Sequence, residues 1–162
     1  MIQLEIDACI WAEGFEKLPY KNPRGVWTCG IGHNLEARGI PASWVKPILD
    51  KRGISKKQAS EILELDWISA QMNRVYVFTF AEWESFSEAQ KFVVTDMIFN
   101  MGLGDKNHGF LSFSIASIPA MKRGDWSTVI ANLKRSKWVK QTGRRALRDI
   151  SILETDKVRI EL

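Results

Sequence analysis

Leu4, Ile6, Ala8, Ile10 and Trp11 recur at roughly helical spacing over residues 3–13, and Gly14 offers a stop directly after Glu13. Glu13 is therefore predicted at a helix end. The pattern then changes: Asn22-Pro23-Arg24-Gly25 places Asn, Pro and Gly at the first, second and fourth positions of a type I turn, so short strands on either side form a hairpin. In the strand that follows, a period of two puts Val26, Thr28, Gly30 and Gly32 on one face and Trp27, Cys29, Ile31 and His33 on the other. A face so rich in glycine suits either close approach by a polymer or tight packing within the protein.

Ser55 and Gln58 have capping-box spacing at the start of a helix that runs towards Val77, with Ala59, Ile62, Leu63, Asp66 and Ala70 on one face. That stripe sets a carboxylate among apolar side chains. Ser87 and Gln90 repeat the spacing before a helical segment that ends at Gly102. Further helices are predicted from Asp125, from Ser136, and over Arg144 to Glu154. The class is α+β: a small N-terminal lobe with a hairpin at about residues 14–60, a connecting helix at about 55–77, and an all-helical C-terminal lobe at about 78–162.

With 162 residues, 45% of them hydrophobic, the chain is long enough to bury one substantial core or two closely joined lobes. Its longest apolar stretches are interrupted by Asn73, Arg74, Asp96 and Asn100 and fall short of the roughly 20 residues that span a bilayer, so no membrane anchor is expected. Glu5, Asp7, Glu13 and Glu16 stand where a secretory peptide would need a positive head and an unbroken apolar run. Cys9 and Cys29 are too few for a disulfide framework, lack CxxC or metal-site spacing, and are read as reduced packing residues. The net charge of +4 gathers at Lys134, Arg135, Lys137, Lys140, Arg144, Arg145 and Arg148. Such a cluster favours an anionic polymer, cell wall or nucleic acid, and equally describes a solvated helix face.

An α+β chain hosts many functions, so specificity must come from motifs. Glu13-Gly14, Tyr20, Gly25 and Trp27-Thr28-Cys29-Gly30-Ile31-Gly32-His33, taken together, resemble glycoside hydrolase family 24, the phage-type lysozymes or endolysins. Ile54-Ser55-Lys56 through Asp66, Phe99-Asn100-Met101-Gly102, Asn132-Leu133, Ser136-Lys137-Trp138, Gln141-Thr142 and Arg145-Ala146 are similar in the same order, so the resemblance covers nearly the whole chain. It implies a lysozyme-like fold with helix 3–13 packed on the C-terminal lobe, and hydrolysis of the bond between N-acetylmuramic acid and N-acetylglucosamine of peptidoglycan, bound between the lobes. It implies no cofactor and no metal. It further implies a monomer made in the host bacterial cytoplasm and released to the cell wall through a separate holin.

Residue by residue, Glu13 matches the family's general acid, which protonates the leaving oxygen. Inversion also needs a base roughly 6.5–9.5 Å from that acid, with room for water between them. Thr28 matches a threonine near the attacking water, where a hydroxyl orients that water by hydrogen bonds. Arg145 matches an arginine that supports the acid. His33 and Asp66 match a buried pair that holds the hairpin lobe to the long helix. Asn34, Phe99 and Asn132 match substrate-side positions, where amides and an aromatic face suit N-acetyl sugars; as a lone residue, Phe99 is equally a core side chain.

The departure lies at Asn22, where the family usually carries Asp, and sometimes Cys, to activate water. An amide is not a general base, and Asn at the first position of this turn also has a purely local use, satisfying backbone donors. Four readings stay open: a hydrolase in which Asn22 or Thr28 places water, a variant inactivated by Asp-to-Asn replacement, a lytic transglycosylase using Glu13 alone, and a catalytically silent peptidoglycan binder. A nucleic-acid binder built on Arg144, Arg145 and Arg148 would show steeply salt-dependent affinity, but leaves the Glu13–His33 motif unexplained.

Overall fold

The computed structural model describes residues 3–160, among which a three-stranded antiparallel sheet accompanies ten α-helices. Helix α1 spans Gln3–Glu13, strands β1, β2 and β3 span Glu16–Lys21, Trp27–Gly30 and His33–Asn34, and helices α2, α3 and α4 span Leu35–Arg38, Ala42–Leu49 and Lys56–Asn73. Helices α5 (Phe80–Glu84), α6 (Glu88–Met101), α7 (Ser117–Lys122), α8 (Trp126–Arg135), α9 (Lys137–Thr142) and α10 (Arg144–Thr155) follow. This is the expected α+β class. Two compact units divide within α4, the first running to Asp66 and the second starting at Trp67. No helix among the described residues is long and apolar enough to cross a membrane.

In the first unit the helix stop at Gly14 is realised by a positive φ of 72° and a 2.8 Å bond from its amide to the Ile10 carbonyl. The single strand expected through His33 is instead two. Gly30 and Gly32 take φ of 68° and 70°, and the chain reverses between them, so β2 pairs with β3 through Thr28↔Asn34 and Cys29↔His33. Nor is the glycine face open. A Cβ at Gly30 would fall 2.7 Å from the buried Trp44 ring, so that glycine serves tight packing within the unit.

His33 Nδ1 lies 2.7 Å from Asp66 Oδ2, and its Nε2 lies 3.0 Å from the Gly39 carbonyl. Both ring nitrogens thus face acceptors, and both must donate for both to be satisfied. Arg38 Nη1 donates to the other Asp66 oxygen at 2.7 Å, a third member that the resemblance did not imply. Asp66 thereby ties β3 and α2 to α4. Ser55 and Gln58 form the expected reciprocal cap of α4.

In the second unit, Ser87, Asp125 and Ser136 cap α6, α8 and α9 as their spacing predicted. The short helix α5 is not predicted as a separate element. Eight buried side chains of α6, Phe92, Val93, Val94 and Met97 among them, face a core shared with α10 and its buried Ile150, Ile152 and Leu153.

That core also holds charge. Arg145, far from being a surface cation, is 5% exposed and grips Asp96 with Nε and Nη2 at 2.7 and 2.8 Å, while the fully buried Arg148 bridges Asp96 and Asp149. Two of the seven cations gathered near the end of the chain are therefore internal. Burial pushes both carboxyls up, but at Asp96 the charge and hydrogen bonds of Arg145, with the charge of Arg148, reverse the shift and hold it below the usual carboxylate range. At Asp149 burial, reinforced by the Asp96 charge, prevails and lifts it well above that range. The Asp96 contribution to stability is accordingly lost as pH falls through its depressed value, whereas that of Asp149 is complete at acid pH and lost as pH rises through its raised value.

An amide imitates a protonated carboxyl but not an ionised one. Asp96→Asn is expected to cost about 3–5 kcal/mol in urea unfolding, because it strands buried guanidinium charge. Asp149→Asn, with its carbonyl still accepting from Arg148, is expected to cost about 1 kcal/mol or less. Equal losses would contradict the assignment of one charged and one neutral carboxyl.

Candidate active site on the hairpin

The hairpin turn forms as its residues dictate. The Gly25 amide donates to the Asn22 carbonyl at 2.8 Å and the Asn22 amide to the Val26 carbonyl at 3.0 Å, with Gly25 at φ 79°. The Asn22 side chain completes it: Oδ1 accepts from the backbone amides of Arg24 at 2.9 Å and Val26 at 3.1 Å. Two backbone donors can only meet the oxygen, so the orientation of the amide follows and Nδ2 points the other way. Nδ2 donates to Thr28 Oγ1 at 3.3 Å, and that hydroxyl donates its own proton to the Val26 carbonyl at 3.1 Å. Thr28 is 4% exposed and Asn22 half-buried, so the threonine is the anchor and the amide is what solvent meets.

Thr28 sits in the middle of a cross-strand row, opposite Tyr20 on β1 and Asn34 on β3. Residues paired this way share a face of the sheet. Tyr20 lies in the field of Glu13: partial burial first, then the charges of Glu13 and Glu16, push its phenol up. Asn34 Oδ1 accepts from the amides of Glu36 and Ala37, so its oxygen is committed to starting α2 and only its amide nitrogen is left for other partners.

Glu13 ends α1 and is half-buried. A Cβ at Gly32 would fall 2.8 Å from both its carboxyl carbon and Oε2, so the carboxyl lies directly on the glycine backbone. The sequence singled out Gly32 for its face of the strand; its contact with Glu13 is a tertiary fact that no spacing announces. Gly32→Ala must displace a flexible carboxyl and hold Ala at φ 70°. If Glu13 is the acid that the resemblance implies, the expected effect is a drop in peptidoglycan turnover of about a hundredfold, the scale of a 1 Å misplacement, with affinity little changed. Unchanged turnover in a folded Gly32→Ala variant would show that the contact does not position Glu13 for that role.

The remaining expected site residues belong to the second unit. Phe99 is half-buried, with Trp67 5.8 Å away between ring centroids and the Arg145 guanidinium 5.6 Å over its ring. It is not a wholly interior side chain. Asn132 is half-exposed on α8, its Oδ1 accepting a long 3.4 Å bond from Arg135 one turn on. Missed from sequence were Asp96 and Arg38: Asp96 sits unmarked in an apolar helix, and Arg38 acts through a partner distant in the chain. Tyr20 belongs to the motif, but the sequence gives it no role. No group of three or more metal-ligating side chains occurs among the described residues.

Comparison with known proteins supplies what geometry alone does not. The phage lysozyme family model matches residues 11–151. A protein of Dictyostelium discoideum named probable T4-type lysozyme 1 is 24% identical over 162 residues, covering 92% of each chain. The chain belongs to the phage lysozyme family, glycoside hydrolases that act on peptidoglycan.

Proposed function

We propose that this chain cleaves the bond between N-acetylmuramic acid and N-acetylglucosamine with Glu13 as general acid, in the manner of an endolysin that reaches the wall of its bacterial host from the cytoplasm. The observation that carries this reading is the seat of Glu13: a half-buried carboxyl held on the Gly32 backbone, whose charge is felt by Tyr20 on the sheet face of Thr28. Glu13 gives its proton to the leaving oxygen as the glycosidic bond breaks, and a water oxygen bonds to the sugar carbon. The surplus proton of that water passes to solvent. Asn22 cannot take it, because both lone pairs of Oδ1 are held by backbone amides. Thr28, its proton spent on Val26, orients the water only as an acceptor.

The occupied Asn22 oxygen also favours a second reading, in which the muramoyl hydroxyl of the glycan replaces water and no second carboxylate is required. Mass spectrometry of the ends released from purified peptidoglycan separates the two. Reducing N-acetylmuramic acid ends are expected; anhydro-muramoyl ends would replace hydrolysis by transglycosylation, and binding without release would leave only a peptidoglycan-binding protein.

A further inference from the structure

Asn22 stands where its family places a group that accepts a proton, yet every acceptor it owns is used. Oδ1 receives two backbone amides, and one Nδ2 hydrogen is given to Thr28. What remains is a single N–H on a half-buried side chain, with no further hydrogen-bond partner for Nδ2 among the described residues. The amide is held at three points, so it cannot turn its oxygen outward without stranding two backbone donors.

A donor aimed at a water engages one of its two lone pairs and draws electron density from the other. It therefore lowers nucleophilicity and serves poorly as a device for activating water. The same donor, pre-set in direction, suits a carbonyl oxygen, because its orientation entropy has already been lost in the fold. In a neutral amino-sugar chain the strongest fixed acceptor is the acetamide carbonyl. We infer that Asn22 is a specificity-determining residue whose free N–H binds an acetamide oxygen of the glycan, with Thr28 as the positioning residue that holds the amide in place.

This inference rests on the reading that the hairpin face meets peptidoglycan glycan. Its test is therefore a binding measurement in a Glu13→Gln background, where turnover does not enter. Calorimetry compares two neutral probes, the β-1,4 hexamer of N-acetylglucosamine and the β-1,4 hexamer of glucose, which lacks acetamides. Asn22→Asp keeps the acceptor for Arg24 and Val26 but loses the free N–H. It is expected to weaken the N-acetylglucosamine hexamer by about threefold to tenfold, the scale of one neutral hydrogen bond, and to leave the glucose hexamer unchanged. Thr28→Val, which removes one of the three points that hold the amide, is expected to lower the same preference by a smaller factor.

The inference is overturned if Asn22→Asp binds the N-acetylglucosamine hexamer as tightly as its parent, if both hexamers weaken alike, or if the parent binds neither. The two claims fail separately. Absence of cleavage by the unsubstituted chain would remove the hydrolase reading and leave a selective acetamide contact standing.

Discussion

Asn22→Asp is expected to raise the turnover of purified peptidoglycan by about a hundredfold to ten-thousandfold, the usual contribution of a placed general base. The turn should tolerate it, because one carboxylate oxygen inherits the amides of Arg24 and Val26. The other oxygen takes the place of Nδ2, 3.3 Å from Thr28 Oγ1. Two oxygens so placed repel unless the Thr28 hydroxyl swings its proton from the Val26 carbonyl to the new carboxylate. The pair then reverses polarity: the threonine donates, and the carboxylate keeps lone pairs for the proton of a water. Two signatures separate this from a general gain in stability. The variant should acquire a dependence of rate on an ionisable group that its parent lacks, and its KM should rise as kcat rises, since the free N–H is lost. An unchanged rate would mean that position 22 is not where water is activated.

Glu13→Gln is the opposite extreme. Its amide fills the same space on Gly32 but has no proton to deliver to a leaving oxygen, so turnover should fall by at least about a hundredfold to ten-thousandfold while oligosaccharide affinity changes little. Loss of affinity together with rate, in a folded variant, would make Glu13 a binding residue instead.

Much of this is legible in the sequence because the relevant signals are local. The Asn22-Pro23-Arg24-Gly25 turn, the stop at Gly14 and the caps at Ser55, Ser87, Asp125 and Ser136 each depend on residues within a few positions, and each forms as its spacing predicts. The strand through His33 misled because period-two alternation does not register backbone handedness, and two glycines at positive φ broke it into two. Long-range pairs were legible only by resemblance. His33–Asp66 is legible that way, whereas Arg38, which completes it, meets Asp66 only through the fold.

The basic stretch near the end shows the same limit. Arg148 reads only as part of a basic cluster until its partners are known, Arg145 is assigned by resemblance to the acid alone, and Asp96 reads as an interruption in an apolar helix until it is seen between them. At Asn22 the residue type shows only an amide where the resemblance implies a carboxylate. Only the hydrogen bonds showed that the amide oxygen is closed to water and that the open group is a donor.

The measurement closest to the central claim is the release of new glycan ends from purified peptidoglycan by the unsubstituted chain and by Glu13→Gln, at equal concentrations of folded protein. Slow release of reducing N-acetylmuramic acid ends by the first and none by the second is the predicted result. Equal release by both would contradict it and remove Glu13 from the chemistry.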